Sequence, residues 1–193
     1  MKTAQEFYDV CVRHVACRNG LRAIKGLTLA EWWSKTERGD WMLWLCGKRQ
    51  GEKGWPTRQQ IVLAACDCAE LSLSLFEKKY PNDNRPRVAI ETARKWANGD
   101  VGIKDVRSAA AADNAADNAA ADDAAYAAAA AAYAAYAAAA YAAADNAAYA
   151  AADYAAAAYA ADNAADNAAA RTARLRECSE ICRKRLEVPC GEQ

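Results

Sequence analysis

The sequence predicts an all-α protein, a multi-helix bundle, and three observations carry that prediction. Residues 109–170 use only Ala, Asp, Asn and Tyr. Ala has the highest helix propensity because it loses no side-chain entropy, and no Gly, Pro or branched residue interrupts the run. Three Thr-x-x-Glu/Gln signatures, at Thr3 to Glu6, Thr28 to Glu31 and Thr57 to Gln60, read as capping boxes that open helices. Behind the third, Ile61, Val62, Leu63, Cys66, Leu71, Leu73 and Leu75 make a segment apolar on nearly every face, the pattern of a buried central helix. The expected architecture is long Ala/Tyr-rich helices, folded back as two or three antiparallel helices, packed on an N-terminal Trp-rich helical part. Residues 1–108 form that N-terminal region, and residues 109–193 form the Ala-rich tract with a basic C-terminal helix. The two are expected to fold together as one domain.

The elements follow in order. The first helix runs from the Thr3 box to about Cys17 and stops before Gly20, presenting Phe7, Val10, Cys11, His14 and Val15. Residues 21–26 read as a connector. The helix after Thr28 carries Trp32 and Trp33. Gly39-Asp40 ends one element and caps the next, a helix from Trp41 to about Gly47 with Met42, Leu43, Trp44 and Leu45. Five of the six tryptophans fall between residues 32 and 55, which reads either as an aromatic core clamping short helices or as an exposed recognition patch. The central helix spans Ile61 to about Phe76, and residues 80–86 (YPNDNRP) form a turn-rich loop. Pro86 suits a first helical position, and Asn98-Gly99 is a C-cap signature. Gly102 restarts a helix through Ile103 and Val106 that leads into the tract. The last helix resumes at Arg171 with Leu175, Ile181 and Leu186 and is broken by Pro189.

As one straight helix the tract would span about 93 Å at 1.5 Å per residue. A globule of this chain length has a radius of gyration of about 16 Å. The tract therefore protrudes or folds back, and Asp122-Asp123 and Asp145-Asn146 are the expected bends because Asp and Asn cap helix N-termini. Tyr126, Tyr133, Tyr136, Tyr141, Tyr149, Tyr154 and Tyr159 supply most of the area such helices can bury. Their spacings collect on no single helical face, which suits helices with neighbours on several sides. Asp, Asn and Tyr codons differ only in the first base, so the tract has the look of an expanded repeat that drifted.

The net charge of zero hides two unequal parts. The tract holds eight Asp and no basic residue, which leaves a surplus of eight basic residues elsewhere. That asymmetry favours docking of the tract on the rest of the chain. The basic residues are scattered rather than striped, so nucleic acid is not an expected partner. No run is apolar enough to span a membrane, since Asp interrupts the tract. The polar start MKTAQEFYDV is no signal peptide, so a cytoplasmic protein with free thiols is expected. Cys66 and Cys68 read as small core residues. His14 is the single histidine, and its combination with Cys17, Cys178 and Cys182 matches neither a zinc finger nor a ribbon. No metal and no cofactor is expected.

Four stretches together are more specific than composition: GDWMLWL at 39–45, IVLAACDCAE at 61–70, YPNDNRPRVAIETARKWANGDVGIKDVRSAAAA at 80–112, and the basic C-terminal helix. With the Ala tract between them they resemble the alanine-rich "putative immunity protein" family of bacteriophage and bacterial genomes, over about residues 28–188. The resemblance implies an all-helical intracellular protein, often phage-encoded, and carries no catalytic residues. The tract departs from many relatives in lacking Arg, Glu, His and Trp.

The residues exclude familiar catalytic sets. There is no HExxH, no Gly-rich phosphate loop, and no nucleophile–His–Asp set that His14 could serve. With the resemblance, this favours a non-enzymatic immunity or anti-defence-type binding protein that sequesters or neutralises a protein or small-molecule partner. Candidate contact residues are Asp40, Trp41 and Trp44, and Asp83, Arg85 and Arg87. The alternative is an assembly protein that self-associates through Ala–Tyr helices. Ice binding is disfavoured because the tract has no Thr and its tyrosines disturb flatness. Mimicry of nucleic acid is disfavoured because eight Asp fall far short of a duplex's one charge per about 1.7 Å.

Overall fold

In this computed structural model, residues 1, 3–79, 81–106, 108–109 and 164–190 are described, without the side chains at 72, 74–76, 78, 79 and 164–171. Helices are the only regular elements among them: α1 (Ala4–Arg13), α2 (Arg18–Ile24), α3 (Leu29–Lys35), α4 (Gly39–Arg49), α5 (Arg58–Lys79), α6 (Arg85–Asn98) and α7 (Ala164–Arg185). A further helical turn lies at 103–106. The expected bends at Asp122-Asp123 and Asp145-Asn146 and the seven tract tyrosines fall outside the described residues. The end of the tract does not: residues 164–170 run unbroken into the basic segment as one helix.

All three capping boxes form. Thr3 Oγ1 accepts from the Glu6 N–H at 3.1 Å, and the Glu6 carboxylate accepts from the Thr3 N–H at 3.3 Å. The reciprocal pairs are 3.3 and 2.8 Å for Thr28 and Glu31, and 3.3 and 2.7 Å for Thr57 and Gln60. Each box satisfies two of the backbone groups that a helix start would leave open. At the other end of α6, Gly99 takes φ 87°. Its N–H reaches Trp96 O at 3.0 Å while the Asp100 N–H reaches Lys95 O at 2.8 Å, a Schellman cap.

The first helix is shorter than the sequence suggests. It closes at Arg13 with a second Schellman pair, Val15 N–H to Val12 O and Ala16 N–H to Cys11 O, both 2.9 Å. The left-handed position that usually holds Gly is filled by Val15 at φ 57°. The expected connector is instead α2. Cys17 Sγ accepts from the Gly20 N–H at 3.3 Å, so Gly20 lies in the first turn of a helix rather than stopping one. Helix α4 begins at Gly39, with Asp40 inside its first turn rather than at the cap.

Helix α5 is the shared wall of two cores. Ile61, Ala64, Ala65 and Cys68, at helical spacing, face a cluster with Phe7, Trp32, Trp33, Met42, Cys46, Cys178 and Leu186. Val62, Cys66, Ala69 and Leu73 face a second cluster with Ala89, Ile90, Ala93 and Val106. Helix α6 packs on the second face, and α4 and α7 pack on the first and on each other. The α4–α7 approach is close. A β-carbon on Gly39 would stand 2.6 Å from the Cys178 carbonyl carbon and 2.7 Å from the Ser179 nitrogen, so only Gly fits.

Polar groups fasten the same helices. Asp67 of α5 accepts from Arg94 of α6 at 2.7 Å and from Arg185 of α7. Arg183 of α7 donates to Trp33 O at 3.0 Å and to Thr36 O, and so occupies the open carbonyls at the C-terminus of α3. Its guanidinium also reaches Ser179 Oγ, a fully buried hydroxyl, at 3.0 Å.

Candidate functional site

Short helices joined at steep turns cannot close on one another completely, and the N-terminal four leave a gap. A cavity of about 470 Å³ opens between α1, the α1–α2 turn, α2, α3 and α4. Its apolar wall includes Phe7, Ile24, Trp32, Trp41, Trp44 and Leu45. Phe7 and Trp32 meet at 5.4 Å between ring centroids, tilted by 50°. Four polar side chains line it: Cys11, His14, Cys17 and Lys48; no Asp or Glu does. Burial pushes the Cys11 thiol up to about 12, so it is a neutral wall group. Cys17 is exposed.

The rim is apolar and strained. Val15 lines the cavity, yet its own side chain is 86% exposed, and Val12 beside it is 46% exposed. A β-branched residue in the left-handed region costs about 1–2 kcal/mol relative to an ordinary helical conformation.

Of the residues singled out in the sequence, Trp41 and Trp44 are brought together here, half-buried. Asp40 is fully buried. Its carboxylate accepts from Arg38 Nε at 2.8 Å, and the Arg38 guanidinium lies 4.0 Å from the Trp41 ring centroid. Asp40 therefore holds the Arg38–Trp41 stack in place and presents no surface itself.

Asp83, Arg85 and Arg87 lie elsewhere, at the start of α6. Asp83 accepts from the Arg85 backbone N–H at 3.1 Å and from Arg85 Nε at 2.8 Å, and the guanidinium holds its carboxyl below the usual range. Arg87 donates to Glu77 of α5 at 2.6 and 2.7 Å, which lowers the Glu77 carboxyl and raises the arginine. These pairs cap and brace the α5–α6 corner.

The combination of His14, Cys17, Cys178 and Cys182 is split. His14 and Cys17 line the cavity, whereas Cys178 and Cys182 are buried in the core under α7. Among the described residues no group of three His, Cys, Asp or Glu is arranged to hold a metal. All eight cysteines are free thiols, and burial raises those of Cys46 and Cys66, the latter to about 12. No described helix is long and apolar enough to cross a membrane.

Sequence reasoning missed Val15 and Lys48 as site residues, and met Cys17 only beside His14 in a metal combination. Their grouping depends on α2 folding back on α1, and α2 carries one buried side chain, Ile24, too weak a pattern to find. His14 was visible as a half-buried histidine, without Val15 and Lys48.

No curated protein and no solved structure matches the chain. The family model described as "Imm-5 like putative immunity protein" matches residues 56–184, from just ahead of α5 almost to the end of α7. The cavity residues precede the matched segment, which supplies the scaffold on which they are mounted. With that match over most of its length, the chain belongs to the Imm-5 like putative immunity protein family.

Proposed function

We propose that the chain is a non-enzymatic immunity-type binding protein that neutralises a protein or small-molecule partner by holding it, with Trp41 and Trp44 in the contact. The supporting observation is the cavity: an apolar, aromatic-walled hollow within the usual 300–1,000 Å³ of ligand sites, with a few polar groups to orient an occupant. Indoles at the edge of such a hollow give a large contact area at little entropic loss. Asp40 contributes by fixing Arg38 on the Trp41 face. Asp83, Arg85 and Arg87 form a separate candidate contact on the α6 corner. The phage or bacterial setting comes from the resemblance, and a toxic or defensive activity of the host or a competitor is the natural target class.

Native mass spectrometry before and after mixing with bacterial lysate tests the reading. The expected result is an added mass that Trp44→Ala reduces by at least about tenfold in occupancy, the loss of a hot-spot contact. A self-associated mass with nothing added would replace this reading with assembly. Double charge reversal at Arg85 and Arg87 that leaves the added mass intact would remove the α6 corner.

A further inference from the structure

We infer that the α1–α2 corner docks an acidic segment of a partner protein, with Arg13, Arg18, Arg22 and Lys25 receiving carboxylates around an apolar centre at Val12 and Val15. The inference rests on the reading of the chain as a binding protein and names the chemistry of a protein partner and a contact surface beside the cavity. The first support is charge. Along the sequence the basic residues are scattered, but the fold gathers these four. Helix α1 ends at Arg13, a turn follows, and α2 starts at Arg18. Arg18, Arg22 and Lys25 stand at i, i+4 and i+7, so they form one stripe about 10 Å long. The stripe lies on the side of α2 turned away from Gly20 and Ile24, which line the cavity. All four basic side chains are exposed, and residues 10–30 contain no Asp or Glu.

The second support is that the fold makes no use of these cations. Every other arginine whose side chain is described has a carboxylate or a tryptophan ring as partner. The guanidiniums of Arg13, Arg18 and Arg22 have none among the described residues. Arg18 also stands in the first turn of α2, where the positive end of the helix disfavours a cation and no acidic residue offsets it. The third support is the apolar centre. Val12 and Val15 are exposed between the basic residues, and Val15 holds an unfavourable left-handed backbone that Gly or Asn would relieve. An apolar patch ringed by arginines is the anatomy of a protein interface. The guanidinium fork fits carboxylate and phosphate alike, and the valines decide between them. Nucleic acid would set a charged backbone or flat bases against an aliphatic pair. A bilayer needs a broad apolar helix face, whereas the buried side chain of α2, Ile24, points inward. A protein segment supplies carboxylates and an aliphatic side chain together.

The test is fluorescence anisotropy on the full chain with four labelled probes. Two are helical peptides with one leucine face, one carrying Glu at i, i+4 and i+7 and its twin carrying Gln there. The others are a short DNA duplex and phosphatidylglycerol vesicles. The Glu peptide is expected to bind at least about tenfold tighter than its Gln twin. Arg18→Ala with Arg22→Ala weakens it at least about tenfold, and these exposed changes favour the helix rather than unfold it. Lys53→Ala with Lys95→Ala, which removes equal charge elsewhere on the surface, leaves it within about twofold. Val15→Asn keeps the turn and weakens the Glu peptide about fivefold. If the duplex or the vesicles bind more tightly than the Glu peptide and lose that binding in the double arginine variant, the corner serves phosphate and the protein occupant is overturned. If the Glu peptide does not bind, or binds with indifference to the arginines or equal loss in the lysine control, the corner is no docking surface. The reading beneath is judged separately: an added mass from lysate that falls with Trp44→Ala but not with the arginine pair leaves the cavity contact standing and removes the corner.

Discussion

At the scale of single residues, the closest constraint is Gly39. Its missing side chain lets the start of α4 rest against the backbone of Cys178 and Ser179. Gly39→Ala is expected to destabilise by about 1–3 kcal/mol, the usual range for overpacking, because the obstacle is backbone and cannot swing away. A lowered urea midpoint at constant slope measures it. Val15 is the opposite case. Val15→Gly removes left-handed strain and is expected to raise Tm by about 2–4 °C, the shift of about 1 kcal/mol in a chain of this size. The thiols separate by burial. Cys17 is expected to react first with a disulfide reagent and Cys190 more slowly, while the buried thiols of Cys46, Cys66, Cys68, Cys178 and Cys182 react only after unfolding. A progress curve in buffer and again in guanidinium shows the partition.

At the scale of elements, helix ends decide how the chain is cut. The three boxes were legible in sequence because capping is local: a Thr and a Glu or Gln three residues on carry all of the required atoms. Gly99 was legible for the same reason. Helix α2 was not, since its cap is a cysteine sulfur, an unusual acceptor, and it buries one residue, Ile24. The C-terminal cap of α3 was not either, because Arg183 arrives from 147 residues away to bond Thr36 O. Arg183→Gln is expected to cost about 1.5–3 kcal/mol, the value of charge-assisted bonds that leave buried partners behind. Trp33 emission should shift at the same time, because that residue's carbonyl is one of those released. The caps also set the acid response. The Thr28 backbone N–H holds Glu31 below its ordinary 4.5, Arg87 lowers Glu77, and Arg85 lowers Asp83. A depressed folded pKa adds stability that is complete above the unfolded value and disappears as pH falls through the folded one. Tm is therefore expected to be flat with respect to these groups from neutral pH to about 5 and to decline below about 4. Glu31→Gln should flatten part of that decline.

At the scale of the whole molecule, α5 organises the described residues. Its two apolar stripes were visible as an all-round hydrophobic segment, and the structure shows which stripe serves which core. The aromatic-rich stretch divides by burial. Trp32, Trp33 and Trp55 are buried in the first core, while Trp41 and Trp44 stay half-buried against the cavity. Composition cannot divide them, because the division follows from where α1 and α2 lie. The polar counterpart of α5 is Asp67, which joins α6 and α7 through Arg94 and Arg185. Asp67→Asn is expected to cost about 1–2 kcal/mol, two partly exposed pairs at the upper end of surface values. Its partner Arg185 and Arg183 stand two residues apart on α7 but bond different elements, so a double variant with Arg183→Gln that shows additive loss would mark the two fastenings as independent.

The pairing of α4 with α7 also has a consequence in time. The Arg176–Glu37 bond joins residues 139 positions apart, and Gly39 waits for Cys178 across the same interval. A ribosome adding about 5–20 residues per second takes roughly 7–28 s to cover it. For that period the nascent chain carries an uncovered apolar face on α4, joined by that of α5 once Lys79 has been added. Every change in the length of the Ala-rich repeat lengthens or shortens the interval in which chaperones, proteases or a neighbouring nascent chain can reach that face.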